Sequence, residues 1–187
     1  MRVVRHQGVT LVELLVGITI LVALSVFVAP SFKSIMLNRT VVAMKDNMIS
    51  ALRFAQSQAS KSNYPVVLCA TADFSACSTS TDDWKKIGWM VYERKAATIA
   101  ATDILRVYQA PKVDVTGFTF SLVRMIGSVS TPAFALEFAS GGLPAIGHAN
   151  ASVRVCNMKS RDLYTVSVRP SGIIEENVSI ATGGCPV

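Results

Sequence analysis

Three patterns of apolar and polar positions follow one another along the chain. Leu14 to Phe32 is a run of 19 residues without a charge, long enough as a helix to span roughly 30 Å of hydrocarbon. From Phe32 to Lys61 apolar residues recur at Ile35, Val41, Met44, Met48, Leu52, Ala55 and Ala59, mostly three or four apart, with Lys45, Asp46, Arg53, Gln56 and Lys61 between them. That spacing predicts an amphipathic helix with one packed face. Taken as one helix from Val9 to Lys61, the two patterns would extend about 80 Å at 1.5 Å per residue, and Asn63 with Tyr64-Pro65 would end it. Beyond this point the period changes. Short alternating or apolar segments at Pro65 to Ala70, Ile87 to Glu93, Ile104 to Tyr108, Gly117 to Val123, Phe134 to Phe138, Ser152 to Cys156 and Tyr164 to Val168 are separated by turn-forming clusters such as residues 78–83 and 140–144. They read as strands. The fold class is α+β: a long N-terminal helix packed on an antiparallel β-sheet head.

The chain has 187 residues, 51% hydrophobic and 16% charged. Its mean hydropathy of +0.43 is raised by the N-terminal run and misdescribes the remainder, which reads as a soluble domain large enough to bury a core. Arg2, Arg5 and His6 precede the run. By the positive-inside rule the first eight residues stay cytoplasmic and everything after Lys33 crosses the membrane. A cleaved secretory signal competes with this reading. Against it, the apolar run exceeds the usual length and the helical pattern continues through Val28-Ala29-Pro30, the weak candidate cleavage point.

Glu13 fits neither pattern. A carboxylate near the end of a membrane helix costs on the order of 2.5 to 3.5 kcal/mol, so it marks a function or a partner more often than an accident; snorkelling to the interface is the bland alternative. The stretch Gly8-Val9-Thr10-Leu11-Val12-Glu13-Leu14-Leu15 resembles the class III signal of type IV prepilins. In that family a membrane peptidase cuts after the glycine and the new N-terminal residue is N-methylated. The resemblance places the cut between Gly8 and Val9 and puts Glu13 where the family has its acid. Val9 departs from the phenylalanine most common there, and Pro30 matches a proline that pilins carry late in the segment. The cut would create an ammonium at Val9, one helical turn from Glu13, with another arriving on each neighbouring subunit. A buried carboxylate is tolerated when paired, so Glu13 would set register during assembly. The implied division is a leader at 1–8, a transmembrane and assembly helix at 9–32, an amphipathic helix at 33–62 and a head at 63–187.

Four cysteines, all on the exported side, fit an oxidising compartment. Three pairings are possible. Cys69 with Cys77 and Cys156 with Cys185 is the preferred one, the second tying down the C-terminal tail. A zinc site is disfavoured, since the chain has no Cys-x-x-Cys pair and no histidine cluster. In the head, Pro65 to Cys69, then Cys77, then Trp84 to Tyr92, then Ile104-Leu105-Arg106, together with 138–142 and 153–157, resemble the GspH/FimT family of minor pilins and pseudopilins. Trp84 and Trp89 are expected in the core or anchoring loops.

That resemblance implies two functional outcomes. Members prime or cap a type IV pilus or a type II secretion pseudopilus, or they bind DNA for natural transformation. The DNA-binding members carry an arginine-rich element near the C-terminus, and here the matching stretch is Ser171-Gly172-Ile173-Ile174-Glu175-Glu176. Phosphate neutralisation needs clustered bases, so this departure argues against that site. Loss of Arg2 and Arg5 would lower the net charge from +6 to +4, leaving Lys159, Arg161 and Arg169 as the remaining DNA-binding candidates. No catalytic constellation, cofactor motif or metal site is legible. The implied partners are other minor pilins, the major pilin, the inner-membrane assembly platform and the prepilin peptidase. The implied location is the inner membrane, as a single pass with a periplasmic head, and then the filament.

Overall fold

The computed structural model describes residues 9–111, 115–126, 129–147 and 150–185, with backbone alone at 26–31, 115, 125, 126, 129 and 130. The helix α1 runs from Leu11 to Ala59. It passes through the boundary between the two compact units of the chain, Met1–Met36 and Leu37–Val187.

In the second unit the apolar stripe of α1 does what its spacing predicts. Val41, Met44, Met48, Leu52, Ala55 and Ala59 are fully buried, with Ala51 beside them. Burying one such leucine or methionine contributes about 1.5–3 kcal/mol. Ile35 lies in the first unit and is 50% exposed. The helix ends at Ala59, where the backbone tightens through Ser60 and Lys61. Pro65 offers no donor to continue it. The Ala59 carbonyl, an orphan at the helix end, accepts from the Gly141 N–H at 2.9 Å.

The strands are β1 (Val66–Ala70), β2 (Gly88–Glu93), β3 (Ile104–Gln109), β4 (Phe118–Ile126), β5 (Val129–Pro132), β6 (Ala135–Phe138), β7 (Ala151–Asn157), β8 (Asp162–Val168) and β9 (Ile174–Ile180), with one short helix α2 (Asp83–Lys86). They form two antiparallel sheets, ordered β3-β2-β1-β6 and β5-β4-β7-β8-β9. β1 is buried along its whole length, which explains its apolar run Val-Val-Leu-Cys-Ala in place of alternation. β7 is likewise buried except at half-buried Arg154, whereas the end of β8 alternates: Val166 and Val168 are buried while Thr165 and Ser167 are only half-buried.

The residues 41–59 stripe and the inner faces of both sheets share one core. Trp84 and Trp89 sit at its centre, fully buried. Their ring centroids are 6.3 Å apart, and Phe120 lies 5.7 Å from Trp84 and 6.0 Å from Trp89, separations at which aromatic pairs attract beyond simple area burial. Gly88 is required where β2 meets β3. Its φ is +136°, and a Cβ there would lie 2.0 Å from the Tyr108 carbonyl oxygen.

Candidate assembly site

The start of α1 is built by Thr10. Its Oγ1 accepts the Glu13 N–H at 3.2 Å, and its carbonyl accepts the Leu14 N–H at 3.2 Å. Thr10 is therefore the N-cap and Glu13 the third helical residue, the spacing of a capping box. A carboxylate in this first turn also complements the exposed N–H dipoles. The Thr-x-x-Glu spacing is visible in the sequence, so Thr10 could have been singled out there.

From Val9 to Leu24 every described side chain is exposed, including Leu11, Val12, Leu14, Leu15, Val16, Ile18, Ile20, Leu21 and Val22. These positions surround the helix rather than forming one stripe. A helix apolar on all sides needs cover from lipid or other helices. Its polar groups are already prepared for such cover: the Thr19 hydroxyl donates to the Val16 carbonyl at 2.9 Å and the Ser25 hydroxyl to the Leu21 carbonyl at 2.8 Å. Glu13 is the exception, since no ion-pair partner for its carboxylate stands among the described residues. Among those residues, no helix is long and apolar enough to cross a membrane. Gly8 lies outside the described residues. Pro30 falls within α1, where only the backbone is described.

In the head, Cys69 is bonded to Cys77 and Cys156 to Cys185. The first closes a loop beside the central strand, and the second ties the segment after β9 to β7. Cys69 and Cys156 are fully buried.

The basic candidates do not converge. Lys159 and Arg161 sit in the β7–β8 turn, organised by Asn157, whose side-chain oxygen accepts the Lys159 N–H at 2.9 Å and whose carbonyl accepts the Arg161 N–H at 2.8 Å. Arg169 follows the other end of β8, about 20 Å away at roughly 3.3 Å per strand residue. Its guanidinium is bound to Glu175 at 2.7 Å, and this pairing raises its pKa through the hydrogen bond first and the charge second. A phosphate backbone would therefore meet a neutralised Arg169 and two distant bases. Beside it lies a groove of about 490 Å³, lined by Asn150, Ser152, Ser167, Arg169, Glu175 and Asn177 among others, with no histidine or cysteine. Among the described residues no group of three or more His, Cys, Asp or Glu could hold a metal ion.

One buried charge was not anticipated as part of any site. Lys45 is 8% exposed, within the apolar stripe between Met44 and Met48, and its ammonium contacts Glu176 at 2.7 Å and Asp46 at 2.8 Å. Gln56, one stripe edge further on, donates from Nε2 to the Gly172 carbonyl at 2.7 Å. These two side chains fasten the β8–β9 hairpin to α1.

Comparison with known proteins supports the architecture. No curated protein matches the chain. Two solved structures of the type IV minor pilin FimU from Pseudomonas aeruginosa are similar in fold. One, in space group P21, has a TM-score of 0.53 at 16% identity, covering 78% of this chain and 92% of that one. The other, in space group P65, has a TM-score of 0.51 at 16% identity, covering 77% and 95%. The model of the family described as type II transport protein GspH matches residues 46–172, from the buried half of α1 to the β8–β9 turn. With more than half of its length matched, the chain belongs to the GspH family of minor pilins and pseudopilins.

Proposed function

We propose that this chain is a minor pilin that primes or caps a type IV pilus, cut after Gly8 and assembled through its N-terminal helix. The observation that carries the reading is the helix from Leu11 onward: apolar on every side, its hydroxyls satisfied internally, with the lone carboxylate Glu13 in its first turn. Cutting would free an ammonium at Val9, four residues before Glu13. In a bundle of such helices that ammonium and its copies on neighbours supply charges able to pair with Glu13, so correct axial register is an arrangement that avoids an unpaired buried charge. Residues 9–32 would sit in the inner membrane before extraction, with 33–62 continuing into the head at 63–187. The role is structural and not enzymatic. Its partners would be other minor pilins, the major pilin, the assembly platform and the prepilin peptidase. A minor pseudopilin of a type II secretion system would use the same chemistry. DNA capture is the weaker reading, because Arg169 is neutralised by Glu175.

The test is the pair Glu13→Val and Glu13→Gln. Both should accumulate to normal levels in the membrane, and both should fall several-fold in sheared filament fractions, because Gln keeps the polarity but loses the charge. Normal filament recovery of either variant would contradict the pairing role.

A further inference from the structure

We infer that β9 is a docking edge for a second copy of this chain, the two β9 strands pairing antiparallel about Asn177. The two sheets have four edge strands, and three of them carry features that discourage pairing. β5 has four residues and contains Pro132; β6 has four residues; β3 carries Arg106 and borders a register shift at Val91/Tyr92. β9 has neither the short length, the proline nor the register break, and its two charges, Glu175 and Glu176, are ion-paired within its own fold. It is seven residues long, contains no Lys, Arg or Pro, and pairs with β8 in unbroken register from Ile174 to Ile180. Among the described residues no other strand pairs with its outer edge, and its side chains from Glu175 onward are exposed, Val178 at 56% and Ile180 at 70%.

The occupant follows from the strand's own order, Ile-Glu-Glu-Asn-Val-Ser-Ile. Two copies crossing at Asn177 would place Ile174 opposite Ile180, Glu175 opposite Ser179, Glu176 opposite Val178 and the two Asn177 residues opposite each other. No like charges stand directly opposite, the two Glu176 residues being diagonal neighbours, and both acids already have partners inside their own fold, Arg169 and Lys45. Apolar Ile pairs close both ends, and each Val178 is covered by the stem of the other copy's Glu176. Cross-strand pairs of this kind are the units that stabilise a sheet. The contact is isologous, so it closes on two copies and does not propagate. A contact confined to one seven-residue strand from each copy belongs among weak, transient interfaces.

The register makes the inference testable by crosslinking the full chain in membranes under mild oxidation. All four native cysteines are in disulfides, so an engineered one stands alone. Asn177→Cys should give a disulfide-linked species at twice the monomer mass, reversed by reductant, because opposed residues of antiparallel strands lie about 4.5–5.5 Å apart at Cα. Glu175→Cys alone should crosslink roughly tenfold less, because its copies would lie four residues apart along the strands, about 14 Å at 3.4 Å per residue. The double variant Glu175→Cys/Ser179→Cys should restore the dimer. Absence of dimer from both Asn177→Cys and the double variant would overturn the inference. So would equal crosslinking from Glu175→Cys alone, or a product of another mass, which would mean a different partner strand.

Discussion

Glu176→Gln is predicted to destabilise the head more than Lys45→Met, although both break the same contact. Lys45 is 8% exposed and lies among fully buried Val41, Met44 and Met48, whereas the Glu176 side chain is 37% exposed. Removing the carboxylate leaves an ammonium in an apolar stripe. Stranding one partner of a fully buried pair costs about 3–5 kcal/mol, but here Asp46, itself 60% exposed, remains at 2.8 Å and water reaches one side. The expected loss is therefore about 1–2 kcal/mol. Lys45→Met instead leaves Glu176 free to solvate and extends the apolar stripe, so it should lie within about 1 kcal/mol of wild type. The pair also sets a pH dependence. Burial acts to lower the Lys45 pKa, but the hydrogen bonds to Asp46 and Glu176 and their charges outweigh it and hold the pKa above its ordinary value. A group raised on folding stabilises fully below its unfolded pKa of about 10.5 and loses that contribution as pH climbs through the higher folded value. Chemical denaturation followed by tryptophan fluorescence reports on the head, since both tryptophans, Trp84 and Trp89, are in its core. The reasoning is refuted if Lys45→Met costs more than Glu176→Gln, or if the difference between them survives unchanged well above pH 11.

The remaining predictions use the same denaturation assay or a binding titration. Opening Cys156–Cys185 by Cys185→Ser should cost about 3–4 kcal/mol, and opening Cys69–Cys77 about 2–3 kcal/mol, from the loop lengths they close, 29 and 8 residues apart in sequence; equal losses would contradict the loop-entropy argument. Gly88→Ala should cost roughly 3 kcal/mol or more, because the new Cβ meets a backbone oxygen at 2.0 Å in a strained φ region, and a near-neutral result would mean that the β2–β3 contact is laxer than described. Duplex DNA should bind the protein only non-specifically, in the range of roughly 10⁻⁴ to 10⁻⁶ M at physiological salt; tight binding that is lost with Lys159→Glu, Arg161→Glu or Arg169→Glu would reverse the ranking of DNA capture against assembly.

The parts of the fold legible in the sequence are those held by burial. The stripe Val41, Met44, Met48, Leu52, Ala55 and Ala59 was readable because a helix face and a core share one period, and β1, β2, β4 and β7 because their residues are apolar where they pack. β9 was not legible. Its order Ile-Glu-Glu-Asn-Val-Ser-Ile lacks a buried face, and it is a strand because β8 supplies its backbone hydrogen bonds while Lys45 and Gln56 fasten its hairpin. β5 and α2 are four residues each, too short to show a period. At the candidate site, the Thr10–Glu13 cap was written locally, whereas the neutralisation of Arg169 depends on a partner across a hairpin and became visible only once β8 and β9 were in register.

The most direct test of the assembly reading is the mature N-terminus, determined by intact mass and N-terminal sequencing of the chain purified from membranes that contain a prepilin peptidase. The account predicts a chain beginning at N-methyl-Val9, and a Gly8→Ala variant that keeps its first eight residues. A chain beginning at Pro30, cut after Ala29, would remove the helix that carries Glu13 and contradict the account.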